Sequence, residues 1–175
     1  AARYTRWLHA QEAQGWSFEA AEVRVDPRAV GSDGLVLHGR IDRVDVRAGT
    51  GVVRLIDYKT NLRKSLEDKV RSPLEDTQLA AYAALQRARQ PDAPGIEACY
   101  VALDDTDAVS AVAHPHVEGS ARVLAREVAA ERARIDAGAA LPALGEGAVC
   151  ETCEARGLCR RDHWSDGNEG VPGAA

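Results

Sequence analysis

Hydrophobic positions along the chain change period several times, and each change marks an element. Tyr4, Trp7 and Leu8 stand at helical spacing among polar residues from Arg3 to Gln14, and Gly15 supplies a stop. From Phe18 to Val25 the period drops to two, with Ala21, Val23 and Val25 on one side, and Asp26-Pro27 ends the run as a first strand. Leu35, Leu37 and Ile41 keep one parity while Val44 and Val46 keep the other. That switch predicts a strand from Leu35 to Val46 with a bulge or bend near Gly39 to Arg43. Gly49-Thr50-Gly51 reads as a turn into Val52 to Tyr58, the most apolar strand, so the two strands form an antiparallel hairpin.

Ser72-Pro73-Leu74-Glu75 has the composition of a capping box and predicts a helix running to about Gln90, where Pro91 stops it. Ile96 to Leu103 reads as a strand, Asp104 to Asp107 as a turn, Ala108 to Ala113 as a weaker paired strand, and Glu118 to Ala137 as a helix. Strands and helices mixed in this order predict an α/β fold.

Within this frame the stretch Leu55-Ile56-Asp57-Tyr58-Lys59-Thr60 is anomalous, because an aspartate and a lysine close a strand that otherwise reads as buried. Residues two apart on a strand share a face, about 6.6–6.8 Å from one another, so Asp57 and Lys59 follow Val53 and Leu55 on one side. A carboxylate to hold Mg²⁺ or Mn²⁺ and an ammonium beside the attacking water are what metal-assisted phosphodiester cleavage requires. Antiparallel pairing across the Gly49 turn brings Asp42 toward Asp57 as a second carboxylate. Gln78 and Tyr82, four apart on the following helix, share the face that can lie across the strand ends. Without this neighbourhood, Asp42-Arg43-Val44-Asp45 would pass for the solvated face of a hairpin, and Glu22 for a surface strand residue.

Composition narrows the setting. The chain has 175 residues, a length that favours one domain. It has no methionine and opens inside a helical pattern, so it reads as a piece of a larger protein. A formal net charge of −5 argues against a uniformly basic nucleic-acid coat, although local patches can still bind phosphate. Arg63, Lys64, Lys69 and Arg71 form one such patch on a loop after Lys59, and Arg156, Arg160 and Arg161 another, for tracking a phosphate backbone. No apolar run of membrane-spanning length and no signal peptide pattern occurs, which predicts a soluble, cytoplasmic chain with no membrane partner. Three of the four cysteines, Cys150, Cys153 and Cys159, are packed close together, as in a metal knuckle rather than a disulfide framework. Three thiolates suit zinc, with His163 as a fourth ligand, or an iron–sulfur cluster. Cys99 lies mid-strand, where a buried apolar role is expected.

Gly39-x-x-Asp42-Arg43, then Asp57-Tyr58-Lys59-Thr60, then Gln78-x-x-x-Tyr82, closed by Cys150-x2-Cys153-x5-Cys159, resembles the RecB-type branch of the PD-(D/E)XK nuclease superfamily. The cysteines are similar to those of AddB nuclease domains, and the match runs from about Glu22 to Trp164. The resemblance implies a restriction-endonuclease-like core, a mixed central sheet flanked by helices, over residues 1–149. A small cysteine knuckle at 150–164 and a disordered tail at 165–175 would follow. It implies Asp42 and Asp57 as ligands of Mg²⁺ or Mn²⁺, with the Tyr58 carbonyl as a third, Lys59 as catalytic, and Gln78 and Tyr82 assisting. It further implies DNA as substrate, exonuclease activity in repair or recombination, a helicase domain or subunit as partner, and a [4Fe-4S] cluster on Cys150, Cys153 and Cys159. Two features depart from that branch: its upstream histidine and its first cluster cysteine have no counterpart here, since His9 lies too near Glu22 and Cys99 sits mid-strand. A non-catalytic DNA-binding scaffold of the same fold is the competing expectation.

Overall fold

The computed structural model describes residues 2–30, 35–71, 76–105, 108–139, 150, 153–155 and 158. The chain divides into two units, residues 1–132 and 133–175. Along the chain, α1 (Ala2–Ala13) leads into β1 (Trp16–Val30), β2 (Leu35–Arg47) and β3 (Val53–Lys59), then α2 (Arg63–Arg71) and α3 (Gln78–Arg89), then β4 (Ile96–Ala102) and β5 (Ser110–Ala113), all in the first unit, and α4 (Val117–Asp136), whose last turn falls in the second. The strands form one sheet in the order β1-β2-β3-β4-β5. Neighbours pair antiparallel except β3 and β4, which run parallel, so the sheet is mixed and α2 and α3 form the crossover between them.

Each boundary has a local cause. Gly15 takes φ +85° and ends α1, and Gly49 and Gly51, at φ +78° and +69°, make the turn between β2 and β3. Pro91 lies just past the end of α3. β1 continues through Asp26-Pro27, where the first strand was expected to stop, because a register shift between Val25 and Arg28 absorbs the proline on an edge strand that needs no N–H there. The expected irregularity of β2 is present in its parity: Ile41 and Val44, three apart, belong to the same core cluster. The extra residues, however, sit on β1, between Phe18 and Ala20 and between Val25 and Arg28. Opposite Asp42 in this register stands Glu22 at φ +52°, the only non-glycine residue with positive φ among those described.

Two further expectations are corrected. Residues 63–71 form a helix rather than a loop, held by the fully buried Leu66. The next helix begins at Gln78, with Thr77 at its N-cap position making no side-chain cap bond. The expected capping box at Ser72 to Glu75 lies outside the described residues.

The sheet separates two cores. On one face Val53, Leu55, Ile41, Val44 and Tyr100 pack against Leu79, Ala83 and Leu85 of α3 and Leu66 of α2. On the other, Ile56, Cys99, Val101 and Val109 pack with Trp7 of α1. Fully burying each large side chain is worth about 1.5–3 kcal/mol, so the strand that carries Asp57 and Lys59 is anchored on both faces. Cys99 is buried as expected, and burial pushes its thiol up to about 12.

Candidate active site at the end of strand β3

The antiparallel pairing of β2 with β3 places Arg43 opposite Ile56, which makes Asp42 and Asp57 the next pair in register. At this point the side chain of Asp42 takes over from the backbone: its Oδ2 accepts the Tyr58 N–H at 3.1 Å. Asp57, 2 % exposed, ends the buried part of β3, while Tyr58 and Lys59 are half-buried.

Helix α3 crosses this strand end because its face of Leu79, Ala83 and Leu85 is buried in the core, which turns Gln78 and Tyr82 to the carboxylate. Gln78 Nε2 donates to Asp57 Oδ1 at 2.5 Å and to the Tyr82 hydroxyl at 3.0 Å. The Tyr82 hydroxyl donates to Asp57 Oδ1 at 3.4 Å, and Lys59 Nζ donates to Gln78 Oε1 at 2.8 Å. Gln78 therefore links the lysine to the carboxylate with both ends of its amide. The helix can come this close because Gly39 faces it: a Cβ there would lie 3.1 Å from Leu85 Cδ1.

Lys59 Nζ stands 2.6 Å from Asp57 Oδ2, yet that buried oxygen has no well-directed hydrogen bond. The contact is an ion pair without a hydrogen bond's direction. Burial pushes the Asp57 carboxyl up, the hydrogen-bonding capacity and charge of Lys59 pull it back, and the neighbouring charge of Asp42 pushes it up again, leaving it above the usual carboxylate range. Among the described residues, no three His, Cys, Asp or Glu side chains gather as a metal site. Two carboxylates completed by backbone oxygen, water and substrate phosphate nevertheless suit Mg²⁺, which is commonly bound that way. The donor chemistry of Asp42 and Asp57 thus fits a hard divalent cation.

Sequence reasoning missed two residues here. The Tyr100 ring lies under Lys59, with Nζ 5.4 Å from its centroid, and its hydroxyl donates to Asp76 Oδ1 at 2.5 Å. Asp76 Oδ2 also accepts from Lys69 Nζ at 2.7 Å, and Oδ1 from the Gln78 N–H at 3.4 Å. Asp76 so joins α2, β4 and the start of α3 behind the lysine. Burial opposes its ionisation, but the hydrogen bonds from Lys69 and Tyr100 outweigh this and hold it below the usual range. The parallel pairing that sets Tyr100 beside Asp57 was the missing signal.

The opposite face of the same strands carries a second charged cluster. Asp45, wholly buried, pairs with Arg43 at 2.6 Å and Arg54 at 3.0 Å. Arg54 lies over Trp16 at 4.0 Å and Arg43 over Phe18 at 5.2 Å, and Arg43 Nη1 donates to the Tyr4 hydroxyl at 3.1 Å. Burial alone would lower the Arg43 guanidinium, but Asp45 more than offsets it and raises it further.

Of the other sequence-predicted residues, Glu22 pairs with Arg40 at 2.9 Å, both largely exposed. Cys150 is half-buried and Cys153 exposed, and both are free thiols. Cys159, His163, Arg156, Arg160 and Arg161 lie outside the described residues, as does the expected tail at 165–175. In the first basic patch, Arg63 pairs with Glu67, Lys69 with Asp76 and Arg71 with Asp68. No described helix is long and apolar enough to cross a membrane.

The polar cluster thus stands at the end of the central strand of a mixed sheet flanked by helices. The chain belongs to the PD-(D/E)XK nuclease superfamily, whose sequence profile matches residues 1–160. A comparison with curated proteins gives no match.

Proposed function

We propose that the chain is a Mg²⁺- or Mn²⁺-dependent DNA exonuclease domain of RecB-like, AddB-like type, acting in repair or recombination beside a helicase domain or subunit in the cytoplasm. The observation that carries the reading is the convergence of Asp57, Lys59, Gln78 and Tyr82, with Asp42 in register, at the end of β3. Asp42, Asp57 and the Tyr58 carbonyl would hold the cation, which when bound supplies Lewis-acid activation of water and charge neutralisation at the phosphate. Lys59 would stand beside the attacking water and steady the charge that develops in the transition state. Gln78 fixes the rotamers of Lys59 and Asp57 at once, and with Tyr82 it occupies Asp57 Oδ1, so Oδ2, now facing Lys59 Nζ, is the oxygen that would be offered to a cation.

The knuckle at 150–164 is read as three of the four ligands, Cys150, Cys153 and Cys159, of a [4Fe-4S] site completed in the full-length protein, with zinc and His163 as the alternative; visible thiolate-to-iron absorbance in anaerobically purified full-length protein, lost in Cys153→Ser, tests it.

The nuclease reading is tested with end-labelled linear DNA, in Mg²⁺ and in Mn²⁺. Wild type is expected to degrade it, and Lys59→Ala to lose at least about 100-fold in rate, the lower end for a positioned proton-transfer or charge-stabilising group. Equal rates overturn the reading. Absence of cleavage together with absence of Mn²⁺ binding that depends on Asp42 and Asp57 favours the scaffold.

A further inference from the structure

We infer that an open cavity on the far side of β3 from Asp57 and Lys59 is a nucleobase pocket, seating one unpaired base of the strand whose phosphodiester lies at the site. The inference rests on the nuclease reading above and adds a substrate-binding site to it. The cavity, about 430 Å³, is lined by Arg3, Tyr4, Tyr58, Leu103, Asp104 and Val109. That volume falls in the usual range for small-ligand pockets, roughly 300–1,000 Å³.

Position is the first argument. Tyr58 lies between Asp57 and Lys59, and successive side chains of a strand point to opposite faces about 3.3 Å apart along it. Leu103, on another wall, is tied to the same strand end, its N–H donating to the Lys59 carbonyl at 2.8 Å. A nucleic-acid strand wrapping the end of β3 would thus carry a phosphate on the Asp57 side and a base on the Tyr58 side.

Chemistry is the second. The Tyr4 and Tyr58 hydroxyls bond each other at 2.6 Å, and Tyr4 also accepts from Arg43, so the polar tips are satisfied within the protein and the ring surfaces remain for contact. The two rings meet edge to face at 5.9 Å, and Tyr4 stacks on Trp7 at 5.8 Å, which fixes their planes in advance. Arg3 Nη1 donates to the Asp105 carbonyl at 2.9 Å, which holds its guanidinium plane at the edge of the cavity. Aromatic rings and a guanidinium plane are the surfaces on which unpaired bases stack.

Asp104 is the third. Exposed Asp104 shares the lining with Arg3, so the cavity is not the uniformly basic surface a phosphate backbone needs, and its carboxylate can accept an N–H from a base, whether an amino group or a ring N–H. The pocket is thus expected to prefer unpaired over paired strands, because withdrawing a base from a duplex costs a few kcal/mol.

The test uses the full chain in EDTA with single-stranded oligonucleotides. A 2-aminopurine moved one position at a time along an otherwise dC strand should report stacking at one position. That signal should vanish in Leu103→Trp, which fills the cavity, and in Tyr4→Leu, which removes a ring, but persist in Lys59→Ala. Affinity should fall roughly 5- to 150-fold in either pocket variant, the range for one lost base stack. Circular dichroism identifies a variant that fails to fold, and the other then decides. Absence of any position-dependent signal in wild type, or a signal and affinity unchanged in a folded pocket variant, overturns the pocket. If that happens while Lys59-dependent cleavage is retained, the nuclease reading stands and only the pocket falls. Cleavage that does not depend on Lys59 removes the basis of both.

Discussion

Replacing Asp45 by alanine should destabilise the protein more than any surface charge change, because Asp45 is wholly buried between two guanidinium groups whose side chains are themselves only 11 % and 9 % exposed. The variant keeps both positive charges and removes their shared counterion. Losing one partner of a buried pair costs about 3–5 kcal/mol, against a total stability of about 5–15 kcal/mol. For a chain of this length about 2–4 °C is lost per kcal/mol, so the midpoint should fall by about 6–20 °C. Thermal and urea unfolding followed by tryptophan fluorescence are the assays, the first for the midpoint and the second for the free energy, since Trp7 and Trp16 lie against Arg43 and Arg54. Replacing Arg43, Asp45 and Arg54 together by Met, Leu and Met should recover most of the loss, because apolar isosteres remove the desolvation penalty with the charges. A loss below about 1 kcal/mol in Asp45→Ala, with unchanged m, would refute the argument by showing that the arginines reach water.

Three further outcomes are expected. Gly39→Ala should lower stability by about 1 kcal/mol and lower nuclease activity with it, since the new Cβ presses on Leu85 and lifts the helix that carries Gln78 and Tyr82; differential scanning calorimetry and the end-labelled DNA assay measure the two. Asp76→Asn should cost about 2 kcal/mol at neutral pH by weakening charged hydrogen bonds to Lys69 and Tyr100. Because the fold lowers the Asp76 carboxyl from its ordinary 3.8, its contribution is present above that pH and lost as pH falls through the folded value, so the gap to wild type should narrow below about pH 4; a pH-independent gap contradicts this. Glu22→Gly should stabilise by roughly 0.5–1 kcal/mol in thermal melts, as relief of the left-handed backbone exceeds both the entropy of glycine and an exposed ion pair.

The hairpin of β2 and β3 was legible because period-two patterning and the Gly49 and Gly51 turn are local properties of the chain. So was the pairing of Asp42 with Asp57, which follows from that turn alone. Gln78 and Tyr82 were legible as a helix face, but what they hold was not, since the approach of α3 is set by Leu79, Ala83 and Leu85 packing on distant strands. Helix α2 left little trace: Arg63–Arg71 is two-thirds charged, and only Leu66 and the partly buried Val70 fix it to the core. Tyr100 and Asp76 escaped because parallel pairing of β3 with β4 has no local signature. Arg43, Asp45 and Arg54 alternate with apolar residues as a solvated face would, and only the aromatic cover from Trp7 and Trp16 shows that they are inside.

The left-handed backbone at Glu22 has a consequence for the outer border of the sheet. β1 is an edge strand of fifteen residues, long enough to recruit a strand from another molecule and begin aggregation. Two register shifts, the missing N–H of Pro27 and the reversal at Glu22 interrupt its row of donors and acceptors, so no long, flat template remains. The distortion opposite Asp42 thereby also insulates the sheet from its own kind, which lets a long strand support the site without turning the protein into a seed for fibres.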